Sequence, residues 1–333
     1  MSNNWTRILT GLFVLAACSS SATAGNLYVS DASLFTVSVF DATTGAFTGT
    51  LTPTGGWGDP TGIAVGPNGD VYVADAANNV VDQFSASGAF LDTFISSGLF
   101  MPSGMAFGPD GNLYVANYGV GNESYIARFD SSGNPIDGSP FVPSSTGLDD
   151  PGAIAFGPDG NLYIADSGNG VDKVLLPTGS FSTLIPAGCP PTPFANPQGV
   201  AFGPDQNLYV SDAGYGCGGT TGFGVYKYDT SGTLLGTFVA TNFLDTPIDL
   251  AFGPDGNLYV TDSGARVALF NGTTGAYITD FVANVGSGGP LNSPTFLAFG
   301  ETSGVPEPAT LGMMGLGLAG LALCRLLRRR ARA

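Results

Sequence analysis

The stretch PGAIAFGPDGNLYIAD, at residues 151–166, carries the signals that decide the fold of this chain. Its first six residues are mostly small or apolar, as in a short buried strand. They lead into Gly-Pro-Asp-Gly at residues 157–160, which is a strong signal for a tight turn. The β-branched and aromatic side chains of the Leu-Tyr-Ile that follows favour a second strand. The stretch therefore predicts two short antiparallel strands joined by a tight turn.

This pattern recurs along the chain at intervals of 42 to 50 residues. A tyrosine comes six residues after the glycine in five copies, and Tyr28 near the start of the body supplies the tyrosine that the last copy lacks. The copies are marked by a proline followed six residues later by a glycine, at Pro60/Gly66, Pro102/Gly108, Pro151/Gly157, Pro197/Gly203, Pro247/Gly253 and Pro294/Gly300. An interval of this length is typical of a four-stranded propeller blade.

The copies predict an all-β fold, a six-bladed β-propeller with four-stranded blades. The last copy ends at Gly300 without its tyrosine strand, whereas residues 26–31 open the body with a tyrosine strand that has no proline segment before it. We therefore expect the ring to be closed by a blade that combines N-terminal strands with one C-terminal strand. Such closure removes the exposed sheet edges that otherwise invite aggregation.

Composition excludes several classes of protein. The chain has 51 glycines and 23 prolines, and only 11% of its residues are charged, which rules out a helical bundle, a coiled coil and a charged disordered chain. Residues 25–304 hold 25 Asp and Glu against four Lys and Arg, a net charge of −21 that repels phosphate backbones and excludes nucleic acid as a partner. The chain has no histidine, which is the commonest general base and a favoured zinc ligand.

Residues 1–24 have the pattern of a signal peptide, with Arg7 before an apolar run and small residues before a cleavage site after Ala24. Cleavage there fits the distance from the apolar run, and the mature propeller then spans residues 25–304. Two alternatives stay open. One is a lipobox in which Cys18 is acylated, and the other is an N-terminal helix that is not cleaved.

The C-terminal segment, residues 305–333, has three parts in order: Pro306-Glu307-Pro308, an apolar run about as long as a short membrane span, and an arginine cluster. This arrangement resembles the PEP-CTERM sorting signal of Gram-negative bacteria. The resemblance implies processing by an exosortase near Pro306, Glu307 and Pro308, and export to the outer surface or matrix, often beside exopolysaccharide. In that case the protein contacts the membrane only through this segment, before processing. A plain C-terminal membrane anchor is the alternative.

The body of the chain resembles the NHL-repeat family of six-bladed propellers, through units such as residues 151–166. That family usually has an arginine early in the third strand of a blade. Only Arg266 fits this position here, because Arg128 lies later in its strand. The resemblance implies a propeller over nearly all of residues 25–300, but members of the family include binding platforms, lyases and lactonase-like enzymes, so function has to be argued from the site.

The long, variable connections all fall on one face of the predicted ring, which is where we expect a site. Residues that break the repeat or are aromatic on this face are the candidates for ligand binding. Aromatic rings beside polar groups there suit stacking on sugars, although they can equally cover the ends of the blade cores. The candidates are Trp57, Tyr118, Glu123, Asp149, Asp150, Tyr215 and Asp249, with Phe194 as a further aromatic residue.

An acidic residue or asparagine ends the second strand of every predicted blade, at Asp31, Asp75, Asn117, Asp166, Asp212 and Asp262. As a ring around the channel they could hold Ca²⁺ or another divalent cation, the one cofactor that the sequence allows. The favoured interpretation is structural, with each side chain accepting backbone N–H bonds in a turn. A residue required in every blade is better explained by the blade than by a single site.

Two cysteines lie in long loops of the same predicted blade, Cys189 and Cys217. In an exported protein they are expected to form a disulfide, with two free thiols as the alternative. Two cysteines without histidine do not make a metal site.

The sequence contains no nucleophile elbow, phosphate-binding loop or zinc signature. It therefore favours a non-catalytic binding or scaffold protein at the cell surface or in the exopolysaccharide matrix, with exosortase as one partner and polysaccharide or a surface protein as another. The alternative is a metal-dependent hydrolase or lactonase of the gluconolactonase type. Glutamate is scarce for such a site, since the body has only Glu123 and Glu301.

Overall fold

The structure, a computed structural model, describes residues 25–119, 123–136, 140–188, 196–214, 223–240, 242–284, 286 and 288–300. Its strands are short, because each repeat alternates apolar runs with Gly-containing turns, and they form six antiparallel sheets. The predicted all-β, six-bladed propeller is confirmed. A single 3₁₀ turn, Ser144–Thr146, is the helical element of the described residues.

The strand bounds follow the sequence repeat. In chain order the strands are β1 Asn26–Asp31, β2 Thr36–Asp41, β3 Phe47–Leu51, β4 Pro60–Val65, β5 Val71–Asp75, β6 Val80–Phe84, β7 Phe90–Ile95, β8 Pro102–Phe107, β9 Leu113–Asn117, β10 Tyr125–Phe129, β11 Pro151–Phe156, β12 Leu162–Asp166, β13 Gly170–Leu175, β14 Ser180–Pro186, β15 Pro197–Phe202, β16 Leu208–Asp212, β17 Gly224–Tyr228, β18 Leu234–Val239, β19 Pro247–Phe252, β20 Leu258–Asp262, β21 Arg266–Phe270, β22 Tyr277–Val282 and β23 Pro294–Gly300.

Each blade begins with the proline strand, which lies innermost. Blades 1 to 5 are β4–β7, β8–β10, β11–β14, β15–β18 and β19–β22, and blade 6 is β23 followed by β1, β2 and β3. The inner strands β4, β8, β11, β15, β19 and β23 contact one another in that order, and β23 contacts β4, so the ring is closed. The register of the closing pair joins Asn26 to Gly300 and Tyr28 to Ala298.

Blade 2 differs in its outer part. After β10 the described chain makes isolated bridges, Ile126 to Val142 and Phe129 to Pro135, where the other blades have a fourth strand. Pro135, Pro140 and Pro143 lie in this segment, and a proline has no N–H to donate to a ladder. A continuous outer strand is therefore replaced by a bridged segment.

Aromatic side chains hold neighbouring blades together. The tyrosine of each second strand packs edge-on against the phenylalanine that ends the inner strand of the next blade. Ring centroids are 5.0 Å apart for Tyr72 and Phe107, and 4.8 Å apart for Tyr259 and Phe299. Tyr28 instead packs in a cluster with Val65, because valine replaces phenylalanine at the end of β4. Edge-to-face pairs of this kind add to the burial of apolar area.

Small residues are required where the inner strands crowd the axis. A Cβ added to Gly62 in β4 would lie 2.1 Å from the carbonyl oxygen of Ser103 in β8. Gly104 is in the same situation, since its Cβ would lie 2.4 Å from the carbonyl oxygen of Gly152. This position of the repeat is therefore closed to a side chain in β4 and β8, whereas Ala153, Asp249 and Phe296 carry one at the equivalent position of their strands.

Candidate functional site

The antiparallel order of the strands sorts all connections onto two faces. The loop face holds the connections that follow the outer strands and the second strands, at residues 52–59, 76–79, 96–101, 143–150, 167–169, 243–246 and 289–293. The turn face holds the tight turns that follow the inner strands and the third strands, at residues 66–70, 85–89, 108–112, 157–161, 203–207 and 253–257. Those predicted site residues that the structure describes belong to the loop face or to the inner strands that lead away from it.

Asp166 shows what the repeated carboxylate does on the loop face. It is fully buried at the end of β12, and its two oxygens accept the backbone N–H groups of Asp149 and Asp150, both at 3.0 Å. It also accepts the N–H of Gly168 at 3.1 Å and the side-chain amide of Asn169 at 2.9 Å. One carboxylate therefore clamps two loops, the one that enters the blade and the one that follows β12.

The same clamp recurs around the ring. In each of the other blades, the equivalent side chain accepts a hydrogen bond from a backbone N–H of the entering loop. The pairs are Asp31 with Ser293 at 2.9 Å, Asp75 with Gly58 at 2.7 Å, Asn117 with Phe100 at 2.9 Å, Asp212 with Asn196 at 2.9 Å and Asp262 with Thr246 at 2.8 Å. All six side chains are buried. Their oxygen lone pairs are engaged by backbone donors, which is the geometry of a structural role. Within the described part of the chain, no three Asp, Glu, His or Cys side chains lie close enough to share a metal ion.

Arg266 adds a cation to this arrangement in blade 5. Its guanidinium lies 2.7 Å from Asp262 and 3.0 Å from Asp280 on β22, so it joins the second strand to the outer strand. Its Nη2 also donates to the carbonyl oxygen of Phe243 at 2.7 Å, which holds the entering loop. This is the arginine position of the NHL pattern, and in this chain it cross-links three segments of one blade.

Asp249 lies at the axis, between β19 and β23. It is 7% exposed, and its Oδ2 accepts the backbone N–H of Leu297 at 3.1 Å. Burial raises its pKa to about 7, so the carboxyl group gains or loses its proton near neutral pH. Phe296 of the adjacent strand packs against the cluster of Ala153 and Val200, on inner strands of blades 3 and 4. A titratable group thus lies next to an aromatic ring that extends across the channel.

Asp172 on β13 is a second buried carboxyl group, which the sequence analysis missed. It is fully buried, and neither of its oxygens has a hydrogen-bond partner among the described residues. Burial, with the negative charge of Asp166, raises its pKa to about 8. The equivalent Asp82 in blade 1 accepts the hydroxyl of Thr93 at 2.8 Å. The sequence signal that indicates this group is an aspartate at an inward-facing position of the strand GVDKVL.

The structure places Tyr118, Glu123 and Asp149 on adjoining loops, because Ser124 Oγ accepts the N–H of Gly119 and donates to the carbonyl oxygen of Asp149. Trp57 and Asp249 belong to other segments of the ring.

Trp57 is half-buried; its indole N–H donates to the carbonyl oxygen of Leu51 at 2.8 Å and its ring lies 5.6 Å from Phe84, so it covers the end of a blade core. Tyr118 is half-buried in blade 2.

Glu123, Asp149 and Asp150 are exposed, and Asp150 accepts the hydroxyl of Ser167 at 2.7 Å. Outside the described residues lie Tyr215, Phe194, Cys189, Cys217, Cys18, Ala24, Pro306, Glu307 and Pro308.

An exposed aromatic pair at the outer rim of blade 5 was not predicted. The rings of Phe243 and Tyr277 are stacked with centroids 5.7 Å apart and planes inclined by 10°. They are 39% and 38% exposed. The Tyr277 hydroxyl donates to Asp280 at 2.9 Å, and Asp280 also binds Arg266. We call Phe243 and Tyr277 the aromatic platform; it presents flat apolar rings beside a carboxylate and a guanidinium.

A cavity of about 510 Å³ opens on the turn face, opposite the face on which the site was expected. It lies where Val65 replaces the phenylalanine that the other inner strands carry. Its walls are apolar side chains and turn backbone: Val65, Gly66, Pro67, Phe107, Pro109 and Phe299. Phe299 belongs to β23, so the cavity adjoins the point at which the chain leaves the ring.

Comparison with known proteins identifies two segments. Residues 58–84, which include β4, β5 and β6, match the NHL repeat, and residues 304–330 match the PEP-CTERM protein-sorting motif. No curated protein matches the chain in sequence. In the described residues no helix is long and apolar enough to span a bilayer.

Solved structures share the fold at low identity. A chain of a nidogen/laminin complex is 16% identical with a TM-score of 0.64, and covers 83% of this chain and 98% of its own. A protein of unknown function from Bacteroides caccae is 14% identical with a TM-score of 0.62, over 84% of this chain and 100% of its own. A gluconolactonase from Xanthomonas campestris is 16% identical with a TM-score of 0.51, and covers 78% of this chain and 85% of its own.

The positions of the two matched segments agree with the order of the strands. The NHL match falls on the inner three strands of blade 1, and the sorting motif follows β23, the strand that closes the ring. The chain is therefore an exported six-bladed β-propeller that carries an NHL repeat and a C-terminal PEP-CTERM motif, through which it is transiently anchored in a membrane before processing by exosortase.

Proposed function

We propose that this protein is a non-catalytic binding protein of the cell surface or the exopolysaccharide matrix, and that it binds polysaccharide at the aromatic platform. The observation that carries the proposal is the stacked, exposed pair Phe243 and Tyr277. Single exposed aromatic rings such as Phe47 are common, whereas two exposed rings stacked on each other form a contiguous apolar patch, which is the feature that marks binding surfaces. A sugar ring presents an apolar C–H face to such rings while its hydroxyl groups remain available for hydrogen bonds.

The polar groups beside the platform suit those hydroxyl groups. Asp280 can accept hydrogen bonds and the Arg266 guanidinium can donate them, and their mutual ion pair at 3.0 Å keeps both in place. The clamp from Arg266 to the Phe243 carbonyl holds one ring of the platform, which reduces the entropy that binding has to remove. The platform is therefore supported by the body of blade 5 rather than by a free loop.

Net charge narrows the class of polysaccharide. Residues 25–304 carry a net charge of −21, which repels uronic acids, sulfated sugars and other anionic polymers. A neutral glycan pays no such electrostatic penalty and can use stacking and hydroxyl contacts alone. We therefore expect the ligand to be neutral, or to carry amino groups.

Substitution of the platform tests this function. Phe243→Ala and Tyr277→Ala in purified residues 25–304 should each weaken binding to a neutral matrix polysaccharide by about two- to tenfold, as the loss of one aromatic contact implies. Isothermal titration or co-sedimentation with the polysaccharide measures this. Phe47→Ala is the matched control, because Phe47 is 51% exposed on the outer strand of blade 6. Equal losses for all three variants, or none for the platform pair, would contradict the proposal.

A hydrolase is the second candidate, and Asp249 is the observation that favours it. A carboxyl group with a pKa near 7 at a channel could act as a general acid or base. It accepts a backbone N–H and is 7% exposed, so a substrate would have to reach it past Phe296. The metal-dependent form of this candidate also needs ligands, and the carboxylates of the loop face are engaged by backbone donors.

A further inference from the structure

The chain leaves the propeller at a defined place. Strand β23 is innermost in blade 6 and runs antiparallel to β1, so its last residue, Gly300, lies at the turn face beside the channel. In the other blades the chain at this point makes a turn into the second strand. In blade 6 it continues instead toward the sorting motif, which is matched over residues 304–330.

The connection to the membrane is short. Only residues 301–308 separate Gly300 from the apolar run that starts at Ala309. A chain of this length reaches at most about 26–29 Å when fully extended. While the protein is anchored, the turn face therefore cannot move farther than this from the membrane.

The opposite orientation is out of reach. If the loop face pointed at the membrane, the connection would have to run from the channel to the rim, across three strand spacings or about 14 Å. It would then have to descend along a blade edge as long as a six-residue strand, about 20 Å. That path of about 34 Å exceeds the available length even before the headgroup layer of about 5–7 Å is crossed.

The turn face is suited to a protein rather than to lipid. Asp70 is hydrogen-bonded by Asn68 at 2.6 Å and by Gln83 at 2.8 Å, and Asp255 by Asn257 at 2.8 Å. These donors are neutral, whereas Asp159 and Asp205 of the same face are paired with Lys173 at 2.8 Å and Lys227 at 2.6 Å. Both lysines are therefore already engaged and are not available to anionic lipid headgroups. The apolar cavity between Phe107 and Phe299 offers a docking place next to the exit of the chain.

We infer that the turn face, with its cavity, is the surface that docks on the membrane-embedded exosortase, through a segment of that enzyme with apolar and basic side chains. Until the chain is cut, the short connection keeps this face within reach of the membrane and excludes the orientation in which the loop face points at it. The loop face is then directed away from the membrane throughout sorting. This inference rests on the sorting motif and the strand order, and it does not depend on whether the ligand is a glycan.

Site-specific photo-crosslinking of the full chain tests the orientation. Asn68 on the turn face and Asn78 on the loop face are a matched pair, since both are exposed asparagines of blade 1. A benzophenone amino acid is placed at either position in cells that contain an inactive exosortase. The Asn68 position should crosslink to the enzyme with at least roughly fivefold higher yield, because the short connection raises the effective concentration on that face alone. Ser87, exposed on the turn face, is a second position in case the first perturbs its turn.

The alternatives give different results. Equal or higher yield at Asn78 would overturn the orientation, and crosslinks from the turn face to lipid alone would overturn the protein partner. A flexible insertion of about 30 residues between Gly304 and Val305 should abolish the preference for Asn68, because the opposite orientation then comes within reach. A preference that survives this insertion would show that the length of the connection is not its cause.

Discussion

Deletion of residues 294–300 should abolish the cooperative unfolding of the propeller, whereas truncation after Gly304 should leave its melting temperature unchanged. The deleted strand, β23, pairs with β1, buries Leu297 and packs Phe299 on Tyr259. Each large apolar side chain lost contributes about 1.5–3 kcal/mol. Their sum, with the ladder bonds, is comparable to the whole stability of a typical domain, about 5–15 kcal/mol.

Deletion of β23 should lower the stability more than deletion of a peripheral strand would, because it opens the ring. Without β23, the inner edge of β1 and the facing sides of β4 and β19 lose their neighbours. Thr295 also links the closing strand to β20, since its carbonyl oxygen accepts the hydroxyl of Thr261 at 2.6 Å. Calorimetry and near-UV circular dichroism of residues 25–293, 25–300 and 25–304 make the comparison. A shortened chain 25–293 that melts within a few degrees of 25–300 would show that closure does not stabilise the fold.

The second large effect is on how the stability of the propeller depends on pH. Asp249→Asn and Asp172→Asn should each raise the free energy of unfolding by clearly more at pH 8 than at pH 5. In the folded state burial raises the pKa of Asp249 to about 7, and burial with the charge of Asp166 raises that of Asp172 to about 8. In the unfolded state both carboxyl groups have a pKa of about 4.

The folded state therefore binds more protons than the unfolded state between about pH 4 and pH 8, and stability falls as pH rises through that window. At pH 8 the cost is on the order of a few kcal/mol for each group, and asparagine avoids it. Asp159 does not contribute in this window. The pKa-raising effect of its burial is outweighed by the hydrogen bonds from Lys173, Asn161 and Tyr163 together, so its pKa is about 2 and its stabilising effect is lost only under more acidic conditions.

Urea unfolding at pH 5 and pH 8 measures these differences. Asp92→Asn is the control, because Asp92 is exposed on β7. In the Asp249→Asn variant the side-chain amide still offers an oxygen to the N–H of Leu297, so the hydrogen bond at 3.1 Å is preserved while the buried charge is removed. Variants that are equally stabilised at both pH values, or destabilised at pH 8, would contradict the assignment of these two groups as buried acids.

The repeat made most of the fold predictable. Proline, glycine and tyrosine recur at constant offsets because each marks one strand of a blade, and Tyr28 without a preceding proline segment indicated how the ring closes. The repeat did not predict contacts between non-repeated segments that lie far apart in sequence. Phe243 and Tyr277 are 34 positions apart and become a platform only when the loop entering blade 5 folds over its outer strand.

Two candidate residues show the limit of local sequence patterns. Trp57 stands out as an aromatic loop residue, but its indole N–H is directed to the carbonyl of Leu51 and its ring to Phe84, contacts that no spacing rule reveals. Asp172 is hidden for the opposite reason, since it stands in an apolar strand where only the neighbouring strand shows that its carboxyl group is buried. The cavity on the turn face is lined by Val65, which stands where the other inner strands carry phenylalanine.

The central claim is that the carboxylates of the loop face are structural and that the protein binds without metal chemistry. Metal content of purified residues 25–304, with melting curves before and after a chelator, tests it most directly. The account predicts substoichiometric metal and an unchanged melting temperature, because the buried carboxylates are already engaged by backbone N–H groups. One tightly held divalent ion per chain, lost on chelation with a fall in melting temperature, would contradict it and favour the hydrolase.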